Sequence, residues 1–167
     1  MEKMAKVLVL CRNRLLGQSI LRLLRNKAGL EVLSTESPCS ALEKEQQLAG
    51  ADVIVLDSLQ IALKYPGFGS FRNPEAPSVN CLLVGMANDI EQFLTAVRHG
   101  VLGYTLGEAS AAEVVTAIRA VTQGEAICPP LLLRVLFDYL AAHSAKVPND
   151  QHVCMRNCPA AKNNSSP

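Results

Sequence analysis

The chain has 167 residues, which suits one domain with a modest appendage. Apolar residues make up 49% of it and charged residues 19%, a balance that favours a compact core over global disorder. The net charge of +1 lacks the basic excess of nucleic-acid-binding domains, and no apolar run is long enough to span a bilayer. The N-terminus shows no secretory signal, so we expect a cytoplasmic protein without membrane contact.

Strand-sized apolar runs alternate with segments of helical period along most of the chain. Five runs are predicted to be strands: Lys6–Leu10, Glu31–Ser34, Val53–Leu56, Asn80–Val84 and Val101–Leu106. The intervening helices are predicted from Leu15 to near Gly29 and over Ser40–Leu48, Asp89–His99 and Ser110–Gln123, while the Pro- and Gly-rich stretch Tyr65–Ser78 is predicted to be mainly loop. Because strands that alternate with helices form parallel sheets, this order predicts an α/β protein with a doubly wound five-stranded sheet.

Helix start signals support two of these helices. Asp89 is expected to cap one of them, and Ser110 with Glu113 three residues later has the pattern of a capping box. Gly100 and Gly124 are expected to end the same helices. In the first helix, one face is expected to carry Leu15, Leu16, Ser19, Ile20, Leu23 and Leu24.

One more helix is predicted to begin at Pro129-Pro130 and to run to about His143. Its apolar residues fall into two stripes, which are Leu132, Val135, Leu136, Tyr139 and Leu140, and Leu133, Phe137 and Ala141. A terminal helix can cover one stripe with its own domain, so the second stripe needs a partner or stays exposed. We therefore divide the chain into a domain over 1–126, a C-terminal helix over 127–143 and a disordered tail over 144–167.

The six cysteines do not form a recognisable metal site. Four are scattered, and without a secretory signal they are expected to be reduced thiols. His152, Cys154 and Cys158 lie close together in the tail, but their spacing matches no closed zinc pattern. No metal is predicted there.

The carboxyl ends of the predicted strands are where ligands bind in doubly wound sheets. Cys11 and Arg12 follow the first strand, Asp57 the third, Gly85 the fourth and Gly107 the fifth. Asp57 is the only carboxylate directly after any of these strands. An aspartate in such a place is commonly a loop-capping residue, so position alone does not establish a functional role.

Two stretches resemble the receiver domains of bacterial response regulators. The segment ADVIVLD, residues 51–57, is similar to the phospho-acceptor strand, and HGVLGYTLGEAS, residues 99–110, resembles the NarL/FixJ (LuxR-type) subfamily, as do residues 113–126. The resemblance covers about residues 5 to 143. It implies a flavodoxin/CheY-like (βα)5 fold, a place in two-component phosphorelay signalling, and Asp57 as the phospho-acceptor position.

The departures from that family predict a degenerate receiver. Family members carry an acidic pair that holds Mg²⁺ after the first strand, a hydroxyl residue after the fourth and a lysine after the fifth. This chain has Cys11 and Arg12, Gly85 and Gly107 at these places. A thiol and a guanidinium provide no oxygen ligands, so Mg²⁺ binding is expected to be lost, and phosphoryl transfer without metal and lysine is expected to be crippled.

Two further expectations concern residues around this pocket. Arg12 could pair with Asp57 and stand in for the family's cation, or it could point into solvent. Tyr104 matches the family's switch aromatic, and it is either a packing residue or an interface residue. With the second stripe of the last helix, this gives Tyr104, Leu133 and Phe137 as interface candidates. The segment after residue 143 lacks the family's helix-turn-helix pattern, so direct DNA binding is not expected.

Three functions remain open at the level of sequence. The first is a phosphorylation-independent regulatory module that acts by protein contact or homodimerisation. The second keeps the family's activity, with a histidine kinase as partner and Asp57 as acceptor. The third is a small-molecule enzyme built around Cys11, but the strand ends offer no Gly-rich phosphate loop and no base for that thiol, so we predict that the chain is not an enzyme.

Overall fold

A computed structural model describes residues 4–25, 27–34, 50–64 and 79–144. The described strands form one parallel sheet in the order β2-β1-β3-β4-β5, with bounds β1 Ala5–Leu10, β2 Leu30–Ser34, β3 Val53–Leu56, β4 Asn80–Met86 and β5 Gly103–Leu106. The described helices are α1 Arg14–Arg25, α2 Leu59–Ala62, α3 Ile90–Arg98, α4 Ala111–Thr122 and α5 Pro130–Ser144. The doubly wound five-stranded sheet predicted from the sequence is confirmed. The helix predicted over residues 40–48, the loop over 65–78 and the predicted tail beyond residue 144 lie outside the described residues. Ser144, which was predicted to begin the tail, is instead the last residue of α5.

Both faces of the sheet are buried, which explains why its central strands are continuous apolar runs. All four residues of β3 have no exposed surface, and their side chains alternate between two hydrophobic clusters. Ile54 and Leu56 belong to the cluster that includes α3 and the start of α5. Val53 and Val55 belong to the cluster that includes α1 and α4. Two helical layers therefore enclose the sheet.

The predicted caps are present where the sequence places them. The Asp89 carboxylate accepts hydrogen bonds from the backbone N–H groups of Glu91 and Gln92, at 2.9 and 3.1 Å. Ser110 and Glu113 form a reciprocal capping box at the start of α4. Gly100 and Gly124, just beyond the two helices, have φ values of 89° and 81°. These left-handed conformations suit glycine, so local sequence fixes both ends of each helix.

Three sequence expectations need correction. The fourth strand continues beyond Val84 to Met86, because a register shift in its pairing with β5 accommodates an irregular residue, Gly85. The fifth strand begins at Gly103 rather than at Val101. Leu15 is 76% exposed, since it lies about 180° around α1 from the buried Leu24.

The C-terminal helix uses one face to pack on the domain. Leu132 is 1% exposed and joins the central cluster, and Tyr139 lies beside Arg98 of α3, whose guanidinium carbon is 5.9 Å from the ring centroid. Leu140, which the sequence assigned to the same stripe, is 49% exposed because its spacing from Leu133 and Phe137 puts it on their exposed face of the helix. None of the helices formed by the described residues is long and apolar enough to cross a membrane.

Candidate functional site at the strand ends

The Asp57 carboxylate closes the loop between β1 and α1. Its Oδ1 accepts a hydrogen bond from the backbone N–H of Arg12 at 2.9 Å, and its Oδ2 accepts one from the backbone N–H of Asn13 at 2.7 Å. The end of β3 is thereby bonded to the chain leaving β1, and the two oxygens share the two donors evenly. Each oxygen of the carboxylate therefore already accepts a charge-assisted hydrogen bond from the main chain.

The same loop starts α1, and Asn13 caps the helix. The Asn13 Oδ1 accepts hydrogen bonds from the N–H groups of Leu15 and Leu16, at 3.1 and 3.2 Å. The Asp57 carboxylate therefore lies at the N-terminal end of α1, where the helix dipole favours negative charge. Sequence reasoning missed Asn13, although an asparagine directly before a helical pattern is a cap signal.

The proposed pairing of the Arg12 guanidinium with Asp57 is not present. Residue 12 contacts the carboxylate through its backbone N–H, and its side chain is exposed. The alternative stated from the sequence, that Arg12 points into solvent, describes the side chain correctly. The physical reason is that the loop presents its N–H groups to the carboxylate, so that each oxygen already accepts a hydrogen bond while the Arg12 side chain extends into solvent.

Cys11 lies beside this carboxylate as a protonated thiol. Burial, and after it the negative charge of Asp57, raises the pKa of Cys11 to about 12. Its Cβ lies 3.2 Å from the position that a Cβ on Gly17 would occupy, so the side chain packs against the first turns of α1. A thiol with so high a pKa is a poor nucleophile at neutral pH and a poor metal ligand.

Gly85 is required by the backbone at the place where the family has a hydroxyl residue. Its φ is +68°, and a Cβ there would lie 3.2 Å from Cδ2 of Leu16. A side chain at this position would be strained and would have to displace a leucine. Beside Gly85 the pocket is therefore lined by the apolar side chain of Leu16.

Gly107 is different because its surroundings leave room for a side chain. The nearest atoms to a Cβ at this position would be backbone atoms of Gly85 and Met86, at 3.8 Å, and its φ is outside the left-handed range. Its N–H donates to the Met86 carbonyl at 2.9 Å. The fold would therefore accommodate a side chain at position 107, and no steric contact explains the glycine there.

The donors gathered at this site do not match the oxygen-rich set that Mg²⁺ prefers. The possible side-chain ligands are one carboxylate, whose two oxygens both accept hydrogen bonds, and a protonated thiol. Gly85 and Gly107 contribute no side-chain ligand. Within residues 4–25, 27–34, 50–64 and 79–144, no three His, Cys, Asp or Glu side chains are grouped so as to hold a metal ion.

Tyr104 is a packing residue in this structure. It is 2% exposed, its ring meets that of Phe93 edge-on at a centroid distance of 5.3 Å, and its hydroxyl donates to the Ala87 carbonyl at 3.0 Å. Burial, followed by the charge of Asp89, raises its pKa to about 12. Tyr104 is therefore not presented to a partner as an interface residue would be.

The other two interface candidates are on the surface. Leu133 is 40% exposed and Phe137 is 63% exposed, and with Leu140 they follow one another at helical spacing. We call these three residues the α5 stripe. It shares Leu133 and Phe137 with the second apolar stripe predicted from the sequence, and its third member, Leu140, was predicted to lie in the first stripe.

Solved structures share this fold. A LuxR-family two-component response regulator from Aurantimonas sp. SI85-9A1 is similar with a TM-score of 0.63 and 16% identity, covering 83% of this chain and 99% of that one. The signal receiver domain of a two-component signal transduction histidine kinase from Clostridium thermocellum is similar with a TM-score of 0.55 and 12% identity, covering 71% of this chain and 97% of that one. The chain therefore has the flavodoxin-like fold of receiver domains, and at these identities the likeness concerns the fold alone.

A curated relative is also similar in sequence. The chain is 29% identical over 112 residues to a glycerol metabolism activator from Pseudomonas putida. The match covers 64% of this chain and 48% of that protein, so the chain spans about half the length of this relative. No family model matches the chain.

Proposed function

We propose that this chain is a receiver-like regulatory module that acts through protein contacts without being phosphorylated. It would work without Mg²⁺, catalyse no reaction and bind neither DNA nor membranes directly, in the cytoplasm. The partner would be another protein, and a second copy of this chain is the first candidate.

The carrying observation is the pair of hydrogen bonds from the N–H groups of Arg12 and Asn13 to Asp57. In phosphoryl transfer, almost all the catalytic effect comes from positioning and from neutralising the developing charge. Here each oxygen of the carboxylate is held by a backbone N–H, and the described strand ends supply neither a second carboxylate beside Asp57 nor a lysine. Asp57 therefore serves as a fixed structural clamp between β1 and β3.

Protein contact is proposed because the α5 stripe has no cover in the described part of the chain. An isolated exposed apolar residue is ordinary, but three that line one helix face form a surface typical of interaction sites. Two copies of this stripe could pair around a two-fold axis, since each would present the same residues to the other.

Incubation with acetyl phosphate and Mg²⁺, followed by intact-mass analysis, tests the independence from phosphorylation. We expect no phosphoryl adduct. A stoichiometric adduct that disappears in Asp57→Asn would contradict the proposal and would support the alternative described below.

Light scattering across a range of protein concentrations tests the contact. We expect a dimer that Phe137→Glu converts into a monomer with an unchanged circular dichroism spectrum. Ala142→Glu is the matched control, because Ala142 is exposed on the same helix but points away from the stripe. A wild-type monomer at every concentration would exclude homodimerisation and leave a different protein as the partner.

The alternative is a phospho-accepting response regulator with a histidine kinase as partner. The observation that favours it is Asp57 itself, which lies at the end of β3 in a receiver fold. The Arg12 and Asn13 amides would then have to release at least one oxygen during transfer.

A further inference from the structure

A groove of about 500 Å³ lies at the free edge of the sheet, away from Asp57. Its floor is the outer edge of β5 from Tyr104 to Leu106. One wall is the first half of α4, including Ala112 and Thr116, and the other is the connection from Ile127 to Leu131. Its volume falls within the range of ligand-binding pockets, roughly 300–1,000 Å³.

The groove exists because the chain pairs with β5 only briefly. The Tyr104 N–H donates to the Ile127 carbonyl at 2.9 Å, and the Ile127 N–H donates to the Leu102 carbonyl at 3.1 Å. The next residue in register to bond this edge is Pro129, which has no N–H. The ladder therefore stops, α5 begins at Pro130, and within the described residues no strand covers the edge beyond that point.

The charges of the lining residues all have one sign. The groove contains the carboxylates of Glu108 and Glu113, and none of its lining residues is Lys, Arg or His. Hydrogen bonds from the Ser110 hydroxyl and then from its backbone N–H lower the pKa of Glu113, which keeps that group ionised at neutral pH. These same contacts cap α4, so its N-terminus is not open to an anion.

The apolar part of the lining is formed by short side chains and by exposed leucine. The short side chains of Ala109, Ala112 and Ala117 leave the interior of the groove open. Leu131, which is 70% exposed, lies at its rim. Such a lining accepts apolar side chains of moderate size but offers few polar side-chain partners. The polar groups of the lining are the backbone of the β5 edge, the two carboxylates, and the hydroxyls of Thr105 and Thr116, which already donate to the Leu83 and Ala112 carbonyls.

We propose that this groove binds a short extended segment of a partner protein in which apolar and basic side chains alternate. The segment would add a strand to the outer edge of β5, since an exposed edge supplies backbone hydrogen bonds and alternate side chains supply specificity. Because alternate side chains of a strand point to opposite sides, the apolar ones would lie against the connection at Pro130 and Leu131, and the basic ones would face α4 and the carboxylates of Glu108 and Glu113. The site is separate from the α5 stripe and does not depend on the function proposed above.

Fluorescence anisotropy of the full chain with labelled acetyl-LRVRL-amide tests this directly. We expect saturable binding, and amide resonances of Thr105, Leu106 and Thr116 that shift in the same titration. The charge-reversed LDVDL should bind about tenfold weaker or worse, because two attractions become repulsions. LRPRL, which lacks the central N–H, should also bind more weakly.

Two substitutions on α4 localise the site. Ala112→Phe should fill the groove and abolish binding, whereas Ala111→Phe, on an exposed neighbour outside the lining, should leave it unchanged. Glu108→Gln should weaken LRVRL binding about fivefold while the chain stays folded.

Three results would overturn the proposal. These are no saturable binding of LRVRL, equal binding of LRVRL and LDVDL, and shifts confined to Leu133, Phe137 and Leu140. Strand addition would also be overturned if an alkylamine and LRPRL displaced the labelled LRVRL as well as unlabelled LRVRL does. Neither competitor can pair with the β5 backbone as the proposed segment does.

Discussion

The backbone N–H of Asn13 donates to Oδ2 of Asp57 at 2.7 Å, and so joins the start of α1 to the end of β3 across 44 residues of sequence. The neighbouring N–H of Arg12 donates to the other oxygen of the same carboxylate. Both bonds are made to main-chain groups, so they depend on the path of the loop and not on its side chains. The Asp57 carboxylate thus has a main-chain donor on each oxygen.

Removing this carboxylate should destabilise the protein. Asp57→Ala should lower the free energy of unfolding by about 1 to 2 kcal/mol, because two N–H donors lose a charged acceptor in a partly exposed place. Urea unfolding followed by circular dichroism measures it. Asp138→Ala, an exposed aspartate on α5, is the matched control and should change little. Equal stability of Asp57→Ala and the wild type would show that the clamp contributes nothing.

Introducing a hydroxyl side chain at position 85 should destabilise the protein. Gly85→Thr should cost about 1 to 3 kcal/mol, because a β-branched residue is strained at φ +68° and would press on Leu16. Gly107→Ser, where a Cβ meets only backbone at 3.8 Å, should remain within about 0.5 kcal/mol of the wild type. Thermal unfolding compares the two. A stable Gly85→Thr with an unstable Gly107→Ser would refute this description of the pocket.

Adjacent leucines at the start of α5 should behave oppositely. Leu132 is 1% exposed, so Leu132→Ala should lower the free energy of unfolding by about 2 to 4 kcal/mol through lost burial and a cavity. Leu133 is 40% exposed, and Leu133→Ala should cost much less. Both are measured by denaturant unfolding at a protein concentration where the chain is monomeric. Similar losses for the two would mean that α5 is rotated from the described position.

The Ser110–Glu113 capping box should make stability depend on pH. The two Ser110 hydrogen bonds lower the pKa of Glu113 from its usual 4.5, so the folded state favours the ionised carboxylate. Its contribution is present above pH 4.5 and is lost as the pH falls through the lowered pKa of the folded state. Glu113→Gln should therefore differ from the wild type near neutral pH and approach it in acid. A difference that grows in acid would contradict this sign.

Local patterns in the sequence were sufficient for most of the fold. The apolar run Val53–Leu56 predicts a strand that is covered on both faces. Asp89 and Ser110 predict helix starts, because the backbone N–H groups that their side chains accept from are only a few residues away. The exposed second stripe of α5 also follows from helical spacing alone. The prediction for Leu15 was wrong because leucines occur on several sides of α1. The sequence therefore does not show which side of this helix faces the sheet, and only the packing of the helix decides it.

The candidate site depended on relationships that no local pattern contains. The sequence by itself determined that Asp57 follows a buried strand without the family's carboxylate pair, hydroxyl or lysine. Only the tertiary structure decided that its partners are the amides of Arg12 and Asn13, that Leu16 lies against Gly85, and that Pro129 leaves a groove along β5. Each of these is a contact between segments distant in sequence, and such contacts are set by strand register and helix docking, not by the identity of neighbouring residues.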